Sequence, residues 1–336
     1  YFGVVDAETR ARGNCNFPHN SIMIQTTVGG SLGETDDDLR WLVDYIQTND
    51  PDGEGYYQAY THIAPDETIM EETDEEHFYQ IGGATIFDNN GVKELQMLWG
   101  EIDNHEGKMT RTGTCLAVYS LEGQPGNSTY LKRISKNEEF NTDDVGYGST
   151  IWKDEDGHIY LYVTENNRPL VARTTTHDLT SEWEYYIRDL SGNFMWQKMY
   201  PTKEERTRST IMENNYVCSM PQIFKKGDYY YMIGQAVSYG HSVYLYRGET
   251  PYGPFTDQKI LFNVPYSVDK IGNQYYKNLL RVNLHLELAR EGELVFSTNT
   301  DADTAGDNFD FPGSADFCRP YFYRIFNWES IYDEDD

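Results

Sequence analysis

The sequence predicts an all-β fold: a five-bladed β-propeller forming a single domain, with an incomplete first blade. Three observations carry that expectation. From Tyr147 to Thr176 (YGSTIWKDEDGHIYLYVTENNRPLVARTTT) residue class alternates with period two, Ile159, Leu161 and Val163 on one face and Tyr160, Tyr162 and Thr164 on the other, as half-buried strands do. The same unit of strand, tight turn, strand, short loop and strand recurs around Gly91, Gly157, Gly227 and Gly292, and these turn glycines lie 66, 70 and 65 residues apart. The 28 Tyr, 15 Phe and 6 Trp suit wide, half-buried sheets. Regular repeats of this length with tight turns are the mark of a propeller. A β-sandwich would not space its turns so evenly.

Taken in order, residues 1–77 form a partial blade one. A loop carrying Asp6, Arg10 and Arg12 leads into a strand over Ser21–Val28 that has no hairpin before it. In the later repeats a strand of this kind comes third, so the chain is expected to begin inside a repeat whose first two strands are missing. Leu39, Trp41, Leu42 and Ile46 are spaced for a short helix within an acidic loop region. Blade two covers 78–144 around the Gly91 hairpin, with Lys136–Asp144 a polar connection. Blade three covers 145–216; Asp156-Gly157 is its two-residue turn, since Gly accepts positive φ and Asp bonds its own backbone. Residues 191–216 are an insertion. Blade four covers 217–279, with TPYGPF at 250–255 as a turn cluster, and blade five covers 280–332 before a frayed acidic tail.

Charge narrows the partners. A net charge of −28 repels nucleic acid and anionic bilayers, and no apolar run approaches a membrane span. Neither nucleic acid nor membrane is an expected partner. Cys15, Cys115, Cys218 and Cys318 match no metal spacing and leave one or two disulfides open. Asn127-Ser128-Thr129 is a glycosylation acceptor pattern, and the chain starts at Tyr1 without Met. A secreted, extracellular or periplasmic protein is therefore expected. No cofactor and no metal are predicted: Asp154-Glu155-Asp156-Gly157 lacks the full spacing of a calcium loop, and an axial calcium, though compatible with the fold, is not predicted.

Several short motifs, NSIMIQ near the start, VGYGSTIW followed by YVTEN and LVART, TPYGPF, NLHLEL…GELVFSTNTD and ADFCRPYF, resemble the five-bladed propellers grouped as domains of unknown function 4185 and 5005. These include the endo-D-arabinanases of glycoside hydrolase family 183. The resemblance covers nearly the whole chain. It implies a glycoside hydrolase acting on furanosidic, arabinan-like polysaccharide. That family usually opens with a hairpin ending in Phe-Gly-Asp-Ser/Thr, whose Asp is the natural candidate for a catalytic carboxylate; here Tyr1-Phe2-Gly3 resembles only the step that follows it.

Residues at the starts and ends of strands meet at one mouth of a propeller, and here they are polar. Asn20 opens the first blade; Glu101 lies in the second; Tyr147 and Glu165 in the third; Gln235 in the fourth; His285 and Asn299 in the fifth, with Arg319 opening its last strand. A ring of amides, imidazole, guanidinium and carboxylates between aromatic walls suits a sugar, whose hydroxyls both donate and accept. Asn20, Tyr147, Gln235, His285, Asn299 and Arg319 are the expected substrate-binding residues. Glycoside hydrolysis needs one protonated carboxyl and one carboxylate. Glu165, following an apolar strand, is the expected acid; Glu101 at the matching place one blade earlier, and Asp6, are the other catalytic candidates. The partner is an oligosaccharide or polysaccharide. A non-catalytic sugar-binding propeller is one alternative. A subunit of an extracellular assembly or homo-oligomer is another, since a blade lacking two strands exposes edges that another chain could complete.

Overall fold

The computed structural model describes residues 24–27, 41–44, 75–105, 108–123, 132–141, 145–212, 216–235, 240–264, 270–271, 274–275, 278–301 and 321–335. Within them the chain is almost entirely antiparallel β structure. It divides into two compact units, one built on Phe17–Ser149 with Thr176–Ser181, the other on Thr150–Thr175 with Glu182–Asp336.

In the first unit β1 (Ile24–Thr27) pairs with β2 (Trp41–Asp44), Ile24 opposite Asp44. A strand stands where the apolar spacing suggests a short helix. Trp-Leu-Val is an aromatic and β-branched run that pairs readily, whereas a single turn of helix is marginal alone. Four further strands form an up-and-down sheet in chain order: β3 (Glu75–Asn89), β4 (Val92–His105), β5 (Lys108–Ser120) and β6 (Arg133–Asn141). Asn90 and Gly91 turn β3 into β4 with φ of 54° and 91°, the left-handed pair that a type I′ hairpin demands. β6 replaces most of the expected polar connection. It is the outermost strand, and its side chains from Arg133 to Asn137 are exposed, so no buried face writes an alternation into its sequence. Tyr79, Met97, Trp99, Cys115, Ala117 and Tyr119 form the core of this sheet.

The second unit opens with a five-stranded sheet: β7 (Thr150–Lys153), β8 (Ile159–Glu165), β9 (Arg168–Thr174), β10 (Trp183–Arg188) and β11 (Phe194–Gln197). The turn around Gly157 is longer than a two-residue hairpin. Lys153 pairs with Ile159, the Asp154 N–H donates to the His158 carbonyl at 3.0 Å, and Gly157 takes φ of 96°. The tight turn is instead Asn166-Asn167, φ 53° and 60°, between β8 and β9. The insertion supplies β11 and then a short helix, α1 (Lys203–Arg208). Thr202 and Glu205 close α1 with a reciprocal capping box.

The next sheet comprises β12 (Cys218–Lys226), β13 (Tyr229–Gln235), β14 (Ser242–Gly248) and β15 (Thr256–Asn263). After a two-residue ladder of β16 (Lys270–Ile271) and β17 (Gln274–Tyr275), the last sheet contains β18 (Asn278–Leu284), β19 (Glu293–Asp301) and β20 (Tyr321–Phe326). The inner strand begins at Asn278, five residues before Asn283, and ends at Leu284; Leu286–Leu288 then form a 3-10 turn ahead of Gly292.

These three sheets stack in chain order, β12 lying against β7 and β8 and also against β18. β13 faces both neighbours. Tyr230 and Met232 enter a core with Tyr160, Tyr162 and Phe255, while Tyr231 and Ile233 enter one with Leu294, Phe296 and Trp328. Period two makes this possible, alternate side chains leaving opposite faces. Met232 and Ile233 are both 0% exposed; each such side chain contributes roughly 1.5–3 kcal/mol on burial. Successive up-and-down sheets stacked face to face are the blades of a β-propeller. Among the described residues no helix is long and apolar enough to cross a membrane.

Candidate functional site

β8 delivers Glu165 to its C-terminal end, where the Asn166-Asn167 turn reverses the chain. The carboxylate meets Arg206 on α1: Nε lies 3.1 Å from Oε2 and Nη2 3.3 Å from Oε1. This is the fork-on-fork geometry in which a guanidinium binds both oxygens. Arg206 also donates from Nη1 to the Pro201 carbonyl at 3.1 Å, and its Cζ lies 5.6 Å from the Tyr200 ring centroid. The arginine side chain is 3% exposed and the glutamate 22%. The capping box holds α1 in place and so holds Arg206 behind the carboxylate.

This arrangement changes the role expected of Glu165. A general acid must present an O–H to the leaving group, but both Glu165 oxygens accept N–H groups from a guanidinium that does not deprotonate in proteins. In this geometry both Glu165 oxygens act as hydrogen-bond acceptors.

Glu101 lies in the first unit, on β4 opposite Tyr79 and just before a ladder irregularity. It is partly buried, with Oε1 out of contact with solvent. Nearby, the Arg111 guanidinium rests against Gly100 and Gly146 and donates from Nη2 to Thr114 Oγ1 at 2.7 Å. A Cβ on either glycine would occupy the space of the guanidinium.

The remaining expected residues scatter. Tyr147 is 2% exposed and belongs to the buried interior, so it offers no face to a sugar. Gln235 is 3% exposed, and its amide donates to the carbonyls of Gly240 and Leu279 at 3.0 and 2.9 Å. It ties β13 to β18 and does not face solvent. His285 lies past the end of β18, its Nδ1 3.2 Å from Glu287 Oε1 and its Nε2 2.8 Å from Ser297 Oγ. That chain has the connectivity of a nucleophile, a base and an orienting carboxylate. Ser297, however, is 1% exposed within the β19 ladder, so the histidine satisfies a buried hydroxyl. The Asn299 backbone pairs with Leu280. Asp6, Asn20 and Arg319 lie outside the described residues, and among the described residues no three metal-ligating side chains converge.

Sequence reasoning missed Arg206, whose one local signal is the Thr202-x-x-Glu205 capping box. It also weighed Asp154 only as part of a calcium-like turn; the residue lies at the opposite end of the β7–β8 pair from Glu165. Asp154 is 4% exposed, with Trp152 Nε1 donating at 3.1 Å. Burial alone would raise its carboxyl; hydrogen bonds from Tyr230, Trp152 and the backbone outweigh this and hold it below the ordinary carboxylate range. The Tyr230 phenol is pushed up by burial and by that anionic partner.

Blades of up-and-down strands with a carboxylate–guanidinium station at a strand end place this chain among the propeller proteins. Residues 1–328 match the family described as Domain of unknown function (DUF5005), and the chain belongs to that family. It is 53% identical to a crystal structure from Bacteroides ovatus ATCC 8483 described as "a putative hydrolase", covering 98% of this chain and 81% of that one with a TM-score of 0.81. An alpha-L-arabinofuranosidase from Lactobacillus brevis is 9% identical over 72% of this chain and 71% of its own, with a TM-score of 0.40. The glycoside hydrolase family 43 protein BlXynB from Bacillus licheniformis is 13% identical over 74% and 43%, with a TM-score of 0.35. Likeness at those two levels carries no inference about this chain. A search of curated proteins finds no match.

Proposed function

We propose that this protein is a secreted glycoside hydrolase that cleaves a neutral, furanose-containing polysaccharide of arabinan type, on a five-bladed propeller. The single observation that carries the hydrolase class is the 53% identity, over 98% of the chain, to the protein described as "a putative hydrolase". Glu165 supplies the chemistry: a carboxyl group whose two oxygens accept from a buried arginine serves as base or nucleophile, the accepting member of a glycosidase pair. The preference for furanosides rests on the motif resemblance to the endo-D-arabinanases.

A second reading is favoured by one specific observation. Both oxygens of Glu165 are already occupied by Arg206, as in a purely structural ion pair, which supports a sugar-binding propeller without catalysis. Reducing-sugar release from linear arabinan and from xylan separates the two. Hydrolysis by wild type that falls about 10²-fold or more in Glu165→Gln supports the enzyme. No release by wild type, with arabinan still bound in a calorimeter, leaves the binding protein.

A further inference from the structure

The strand that the insertion adds does more than widen a sheet. β11 places Phe194 and Trp196 on the same face as Tyr186 of β10, to which Trp196 is directly opposite. Tyr252, from the turn between β14 and β15, closes the cluster. Tyr186 stacks on Phe194 at 4.9 Å and 14° and meets Trp196 at 4.7 Å; Tyr252 lies 5.1 Å from Tyr186 and 5.5 Å from Trp196. Phe194 is 36% exposed and the other three rings are partly exposed. Polar groups are set among them. Arg173 lies 4.2 Å over the Trp196 ring and binds Glu184 Oε2 through Nε and Nη2 at 2.9 and 2.8 Å.

Mutual packing holds these rings, so a ligand would meet ordered faces at small conformational cost. Flat aromatic faces bordered by a guanidinium fork and a carboxylate match a sugar, which offers C–H faces to stack and hydroxyls that donate and accept. Arg173 is neutralised by Glu184, and the protein carries −28 overall. Arg188, its Cζ 5.5 Å from the Phe194 ring centroid, donates to the Gly192 carbonyl; a lone guanidinium on so acidic a protein does not make the basic surface an anionic chain requires, and an uncharged chain meets no repulsion.

We infer that the Tyr186–Phe194–Trp196–Tyr252 platform is a second glycan-binding site, separate from the Glu165 station, that holds neutral polysaccharide on the flank of the propeller. The inference rests on the glycan reading above, but its test is independent of catalysis. Full-length wild type, Glu165→Gln, Phe194→Ala and Trp196→Ala are run through native gels containing linear arabinan, arabinoxylan or polygalacturonate, with circular dichroism confirming that each variant is folded. Wild type and Glu165→Gln should be retarded equally by at least one neutral polysaccharide and not by polygalacturonate. Retardation should fall at least 5-fold in Phe194→Ala and in any folded Trp196→Ala, while Phe194→Ala leaves short-oligosaccharide turnover unchanged. Absence of wild-type retardation by either neutral polysaccharide overturns the site, as does undiminished retardation in Phe194→Ala. A wild-type dimer in sedimentation velocity that Phe194→Ala converts to monomer also overturns it, because the rings would then serve self-association. Retardation sensitive to Phe194→Ala without any turnover by wild type keeps the platform and removes the hydrolase.

Discussion

Replacing either member of the Glu165–Arg206 pair tests whether the station works as a unit. Arg206→Met keeps most of the side-chain volume and leaves a carboxylate, 22% exposed, facing no countercharge. Loss of one partner from a buried pair costs about 3–5 kcal/mol; rehydration of the partly exposed Glu165 places this variant near the lower end. Glu165→Gln keeps shape and one acceptor but strands a guanidinium 3% exposed, at a similar cost of about 3 kcal/mol. Were the sites independent, the double variant would lose the sum. As a pair, it should lose little more than either single change, a coupling of about 2–3 kcal/mol. Urea unfolding followed by tryptophan fluorescence, with m values compared across the four proteins, measures it. Losses that add to within about 0.5 kcal/mol would refute the coupling and with it the claim that Arg206 and Glu165 act as a unit.

Four further outcomes are expected. Gly91→Ala has open space around it and should cost only the left-handed backbone term, about 1–2 kcal/mol. Gly146→Ala, with φ of 75°, must also displace the Arg111 guanidinium from buried Thr114, which adds about 1–3 kcal/mol in denaturant melts. Tyr162 is 0% exposed and its OH donates to the Pro251 carbonyl at 2.6 Å; Tyr162→Phe leaves that carbonyl unpaired and should lower stability by about 1–3 kcal/mol with no change in m. Asp154, with its carboxyl depressed in the fold, contributes stability that is present above the unfolded carboxylate range and lost as pH falls through the folded value. Asp154→Asn should therefore melt lower than wild type at pH 7, and the gap should close on acidification below about pH 4. A gap that widens there would contradict the sign of the shift.

The strands were legible wherever one face is buried and the other is not, as in IYLYVTE and YYYMIGQ, and the glycine spacing located the first strand pair of four sheets, β3–β4, β7–β8, β12–β13 and β18–β19. What the sequence concealed follows from two physical facts. An edge strand such as β6 buries no face and so carries no alternation, and a four-residue strand such as β11 is too short to display one. In the fifth repeat a 3-10 turn separates β18 from Gly292, so His285, expected at the mouth among the strand-end residues, lies just past the end of β18. At the site, Glu165 could be singled out as a carboxyl closing an apolar strand. Its partner could not, because Arg206 lies 41 residues further along on a helix whose amphipathic signal is one turn long. Gln235 and Tyr147 misled for the converse reason: a polar or hydroxylated residue at a strand end can be consumed entirely by carbonyls or packing inside the fold.

The two-sided burial of β13 has a consequence for how the second unit comes apart. A strand whose alternate side chains belong to different cores cannot loosen on one side without stripping both. A slip by one residue would exchange Tyr230 and Met232 with Tyr231 and Ile233 and mismatch two interiors at once. The amide hydrogens of this strand should accordingly exchange with deuterium last, at rates set by opening of the whole three-sheet stack, while those of β11 exchange through local fraying. The middle sheet is in that sense the hinge pin of the unit, the piece that keeps its neighbours from opening separately.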